Sequence, residues 1–326
     1  MRIALLLPLL LVLSAPASAF LFGGDSDKKA LAGLEALRAA FKAGDCAAVQ
    51  ERYDAFLEEK PSRRLREEPY GYLGRCYEKG GLTDKAISLY KVAIELFPAN
   101  RLFASRLGRI YNRAGFYDSA EPLFLKALAL KSDDIDANIG LARAYAGMGF
   151  LGRARDFYSM AVVLQDFGDP VVMREYARCL LEKREWEEAA FIASRGKLRE
   201  PLSAYWPVNQ ARILAGRGDY TGAVLSMDGA LELEATRGRR LERALYLLLG
   251  GHPRRAMEEA DAALSADRTD ALAASVKAMA LYFMGEKKQA EPYFAIAAVN
   301  GGDFTSKLAG SFIECLKNGG MWPCKK

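Results

Sequence analysis

The sequence predicts an all-α protein built from stacked helix pairs, and three observations carry that reading. Seven alanines, Ala86, Ala120, Ala154, Ala189, Ala223, Ala256 and Ala290, recur at intervals of 34, 34, 35, 34, 33 and 34 residues. Small residues keep the same period on either side: Gly74, Gly108, Ala142, Ala177, Ala211, Ala244 and Ala278 before each alanine, and Ala93, Ala127, Ala161, Gly196, Ala230, Ala263 and Ala297 after it. Between these columns the apolar residues fall at helical spacing, as in Leu73 and Tyr77, then Ala86, Tyr90 and Ala93. A single core has no reason to repeat so regularly. Such a period means one small unit stacked many times, and stacks of this kind present an extended binding surface.

Each column has a physical reason. The first helix of a unit carries the small residue and then a bulky one, in turn Tyr77, Tyr111, Tyr145, Leu180, Leu214, Leu247 and Leu281. A glycine ends that helix at Gly81, Gly115, Gly149, Gly218, Gly251 and Gly285, with Arg184 as the one break. Glycine suits the place because it enters the left-handed conformation of a helix C-terminus without steric cost. The second helix carries the alanine. Facing small residues let the two backbones approach while the bulky column fills the space beside them. Pro98 and Pro201 close two units where a helix must stop.

The set Tyr70, Leu73, Gly74, Tyr77, Ala86, Tyr90, Ala93 and Pro98 resembles the tetratricopeptide repeat (TPR), and the next two units match almost as well. Those matches are Leu107, Gly108, Tyr111, Ala120, Phe124 and Ala127, then Leu141, Ala142, Tyr145, Ala154, Tyr158 and Ala161. Later units depart from the pattern where Ala193, Met227 and Ala260 replace an aromatic residue. The resemblance implies a right-handed superhelical solenoid of about seven helix pairs, with a degenerate N-terminal pair and a C-terminal capping helix. The domain reading is a signal peptide at 1–19, an N-terminal region at 20–66 holding the degenerate pair, the repeat array at 67–302, and a capping helix and tail at 303–326. The degenerate pair is broken at Gly44-Asp45, Lys60 to Glu68 reads as a linker, and one elongated domain is expected.

Residues 1–19 combine Arg2, the apolar run Ile3 to Leu13 and Ala17-Ser18-Ala19, the layout of a cleaved secretory signal, so a periplasmic address is expected. A membrane anchor is the alternative, because Phe20 to Phe22 prolong the apolar run. In an oxidising compartment the five cysteines can pair. Cys315 and Cys324 flank a flexible turn and are expected to bridge; Cys46 and Cys76 lie on neighbouring helices and offer a second pairing; Cys179 reads as a buried apolar residue.

The resemblance implies that ligands lie along a concave face lined by the first helices, at the place just after the small column. That place holds Arg75, Arg109, Arg143, Arg178 and Arg212, then Leu245 and Met279. Asn112 and Arg113 lie near Arg109, and Tyr282 and Phe283 extend the apolar end. Two readings of the arginines stand side by side. They form a ladder for an acidic segment, or they pair internally with carboxylates such as Glu78, Asp136, Glu175 and Glu182. The second basic cluster, Arg237, Arg239, Arg240 and Arg243 with Arg254 and Arg255, reads as a solvated face.

Catalysis finds little footing. The single histidine, His252, precedes Pro253 in a turn, and no spacing suits a metal, so neither cofactor nor enzymatic activity is expected. A net charge of only +5 on an exported chain disfavours nucleic acid. The expected function is a protein-binding adaptor of the bacterial envelope, in pilus, secretion or outer-membrane assembly, with only indirect membrane contact. The alternative is a polysaccharide-export component that contacts an acidic polymer or its transporter.

Overall fold

The computed structural model describes residues 25–302 together with 309, 310 and 313. The expected signal peptide and the Cys315–Cys324 bridge lie outside these residues. So does most of the capping helix, of which 309, 310 and 313 are helical and Ala309 is buried in the last core cluster.

The described chain is all-helical, and its helices form two compact units divided between Met148 and Gly149. The first unit runs α1 (Asp25–Lys42), α2 (Cys46–Glu58), α3 (Arg63–Lys79), α4 (Thr83–Leu96), α5 (Arg101–Arg113), α6 (Tyr117–Leu130) and α7 (Ile135–Gly147). The second begins with α8 (Leu151–Leu164), α9 (Pro170–Lys183), α10 (Trp186–Arg199), α11 (Tyr205–Gly216) and α12 (Tyr220–Leu233). It continues with α13 (Arg237–Leu249), α14 (Pro253–Ala266), α15 (Ala271–Phe283) and α16 (Lys287–Asn300). Within each unit every helix packs on the next in sequence; α1 also meets α3, α5 meets α7, α9 meets α11 and α13 meets α15.

The repeating alanines explain this packing. All seven have no solvent exposure, so each marks the line where a second helix lies against its neighbours with no room for a larger side chain. In the better-matched repeats an aromatic ring on the second helix fills the space over the small column. Tyr90 packs on Gly74, while Phe124 is held between Gly108, where an added Cβ would come within 2.8 Å of the ring, and Gly140. Ala193 removes that aromatic from α10, and α11 brings Trp206 against another place on the same helix. Its buried indole packs on Gly196 and donates to Glu200 at 2.9 Å.

First and second helices start differently. The first helices α5, α7, α9, α13 and α15 are capped by the side chains of Asn100, Asp134, Asp169, Thr236 and Asp270, which accept from first-turn amides. Most second helices follow a tight turn and lack a side-chain cap, as at Leu82, Phe116, Phe150 and Glu185. Two caps are also tied to the preceding repeat: Arg101 of α5 pairs with Asp134, and Arg237 of α13 with Asp270. The turn glycines have φ between +70° at Gly81 and +86° at Gly285, and Arg184 takes the same region at +59°.

The expected linker is helical from Arg63 onward. Its charge and the proline at 69 argue against a helix in sequence, but tertiary contacts win. Leu65 packs on the N-terminal cluster, Pro69 is buried, Glu68 takes both hydrogen bonds of the Arg38 guanidinium at 2.8–2.9 Å, and Glu67 accepts from Asn100. A Cys46–Cys76 disulfide further binds α2 to α3, and Cys179 is buried.

Candidate partner-binding face

Each unit carries its own part of the first-helix column. In the first unit, Arg75 of α3 is exposed and lies 4.6 Å over the ring of Phe41, which in turn stacks on Tyr72 at 4.4 Å. Arg109 and Arg113 of α5 both reach back to Glu78 of α3, at 3.5 and 3.4 Å, and Arg106 joins them at 3.1 Å. Asn112 donates to the Gly140 carbonyl at 2.7 Å, linking α5 to α7. Arg143 is half-buried on α7.

In the second unit, Arg178 of α9 is exposed, and Arg212 of α11 forms a two-pronged pair with Glu242 of α13 at 2.7 and 3.0 Å. Those hydrogen bonds, ahead of opposing desolvation, raise the Arg212 guanidinium above its usual value and keep it charged. Among the described residues neither Arg75 nor Arg178 meets a carboxylate at ion-pair distance. The column is therefore divided: some guanidiniums bind neighbouring repeats together, and others face solvent.

The expected apolar end is mostly interior. Leu245 and Met279 pack half-buried against the core of α11 to α16, and Tyr282 is buried at 7% exposure; only Phe283, edge-on to Tyr282, is exposed, at 59%. The physical reason is that α13 and α15 lie against each other, so residues after the small column in these repeats fill the seam. Tyr282 is thus removed from any solvent-facing set.

The carboxylates that hold the arginines are only partly those expected. Glu78 is one of them. Glu175 accepts from the Tyr158 hydroxyl at 3.3 Å, and two further carboxylates hold arginines: Glu200 takes Arg174 at 2.6 Å and Glu242 takes Arg212. A signal for the Glu242 pair was present in the spacing. Arg38–Glu68 and Arg212–Glu242 are both thirty residues apart, one repeat onward and one helical turn back. Thirty residues after Arg75 and Arg178 the chain has Ser105 and Val208, which cannot pair.

Half of the second basic cluster is paired: Arg237 with Asp270, Arg239 with Glu234, and Arg243 with Asp228 and Glu259. Among the described residues no group of histidine, cysteine or acidic side chains is placed to hold a metal ion, and no helix is long and apolar enough to cross a membrane.

Comparison with known proteins agrees with this architecture. The sequence model described as "Tetratricopeptide repeat" matches residues 34–101 and 105–170. No curated protein sequence matches significantly. Among solved structures, a tetratricopeptide repeat protein from Parabacteroides merdae superposes with a TM-score of 0.54 at 17% identity, covering 77% of this chain and 99% of that one. YrrB, described as a TPR protein with an unusual peptide-binding site, gives 0.49 at 19% identity over 52% of this chain and 88% of its own. MamA gives 0.48 at 20% identity over 53% and 94%.

Proposed function

Because the chain is a tetratricopeptide-repeat protein, we propose that it is a non-catalytic scaffold of a bacterial cell envelope that holds a partner protein segment against the first helices of its repeats. The fold is a general scaffold for protein–protein contact. The envelope address rests on the signal-like layout of residues 1–19 and on the Cys46–Cys76 bond, which suits an oxidising compartment. Pilus, secretion or outer-membrane assembly machinery is the setting this reading favours.

One observation carries the proposal. Arg75 and Arg178 occupy the same column place in different units, are exposed, and spend no charge on a carboxylate of the described chain. Unpaired guanidiniums at recurrent positions of a packed scaffold are available for planar recognition of acidic groups. The test is Arg75→Glu combined with Arg178→Glu. Recovery of the partner from intact envelopes is expected to fall by about tenfold or more while circular dichroism stays unchanged; undiminished recovery contradicts the proposal. Salt-sensitive binding of a purified acidic glycan with no protein present would turn the reading toward polysaccharide export.

A further inference from the structure

We propose that the hollow between α3 and α5 is an oxyanion site that receives one aspartate or glutamate side chain of the bound segment. The inference rests on the partner-binding reading and adds the chemistry of the group recognised. Three guanidiniums surround one carboxylate there. Glu78 Oε1 accepts from the Tyr90 hydroxyl at 2.7 Å and from Arg106 Nη1 at 3.1 Å, while Oε2 lies 3.5 Å from Arg109 Nη2 and 3.4 Å from Arg113 Nη2. The local balance of these side chains is three positive charges against one negative. Glu78 is only 11% exposed and both its oxygens are engaged, so it has nothing further to give.

The arginines do have something to give. Each guanidinium carries five N–H donors in a fixed plane. Arg109 and Arg113, with side chains 38% and 65% exposed, each make one long contact to Glu78 and keep other donors accessible. A hollow of about 250 Å³ opens beside them, lined by Glu78, Thr83, Ala86, Ile110, Arg113 and Ala114. Excess guanidinium charge favours an incoming oxyanion.

A discrete acidic side chain fits better than a charged polymer. Three guanidiniums converge on this one hollow, whereas Arg75 and Arg178 stand singly and Arg174 and Arg212 in the second unit are already matched by Glu200 and Glu242. A polyanion needs a track of unmatched charges; a peptide needs one well-placed anchor.

The test uses the full chain and a fluorescent ten-residue peptide of alternating serine and glutamate. Its glutamine counterpart, inorganic phosphate and polygalacturonate serve as competitors. The glutamate peptide is expected to bind and the glutamine peptide not to. Arg109→Gln with Arg113→Gln is expected to weaken binding about tenfold. Glu78→Gln removes the internal competitor and is expected to tighten binding several-fold while lowering the melting temperature; a purely structural cluster would give the second effect without the first. Peptide binding unchanged in the double variant overturns the inference, as does phosphate or polygalacturonate displacing the peptide at lower concentration than unlabelled peptide. Loss of peptide binding without loss of partner recovery overturns this inference alone. Failure of partner recovery to respond to Arg75→Glu with Arg178→Glu overturns the broader reading instead.

Discussion

Phe124 shows how tightly single residues are constrained in this fold. Its ring is gripped by Gly108 of α5 on one side and Gly140 of α7 on the other. Two effects oppose each other when Gly140 becomes alanine. Helix propensity favours alanine by about 1 kcal/mol, but the new methyl overlaps a fully buried ring, and overpacking costs about 1–3 kcal/mol. Gly140→Ala is therefore expected to lower the urea midpoint, and adding Phe124→Leu to restore part of the loss. A double variant no more stable than Gly140→Ala alone would contradict the clash. Arg184 gives the opposite case. Its φ of +59° is unfavourable for any residue with a Cβ, so Arg184→Gly is expected to stabilise by roughly 1 kcal/mol, read in the same titration. Glu68 sets a pH dependence: hydrogen bonds from Arg38 hold its carboxyl below the usual range. A depressed native value stabilises above the ordinary pKa of about 4.3 and is lost as pH falls through the native one. Wild type is expected to lose stability as pH falls below about 4.3, and Glu68→Gln to lose less; equal losses would contradict the assignment.

At the scale of elements, the helix pairs were legible because their constraints are local and recurrent. A buried alanine, a glycine with positive φ and a bulky residue at fixed offsets each mark one structural place. What escaped sequence reading depends on residues from other repeats. The start of α3 looked like a linker because Arg63 to Glu68 is charged and precedes a proline. Its helicity comes from Arg38, Asn100 and the N-terminal cluster. Likewise, nothing near Gly196 announces that Trp206 of the next repeat packs over it. The Cys46–Cys76 bond tests how the N-terminal helices are secured. It closes a loop with a sequence separation of 30, and such a cross-link contributes about 3–4 kcal/mol in the chain-entropy model. Reduction is expected to make α1 and α2 cleavable by protease before the rest of the first unit. Uniform digestion would show that the bond secures nothing local. Cys179, whose thiol burial pushes up to about 11, is expected to resist alkylation under these conditions.

For the molecule as a whole, repetition made the fold readable while hiding which arginines are available. Five arginines in one column look equivalent in sequence. The structure separates Arg212, paired with Glu242, and Arg109, drawn to Glu78, from Arg75 and Arg178, which meet no described carboxylate. That distinction depends on what stands one repeat away, and the apolar end failed as a solvent-facing set for the same reason, since Tyr282 is covered by its neighbours. The most direct measurement places a photo-crosslinking amino acid at position 75, at position 178, or on an outward second-helix residue such as Leu225, and irradiates intact cells. The account predicts one protein adduct shared by positions 75 and 178 and absent from 225. An adduct formed only from 225, with none from the first-helix column, would contradict it.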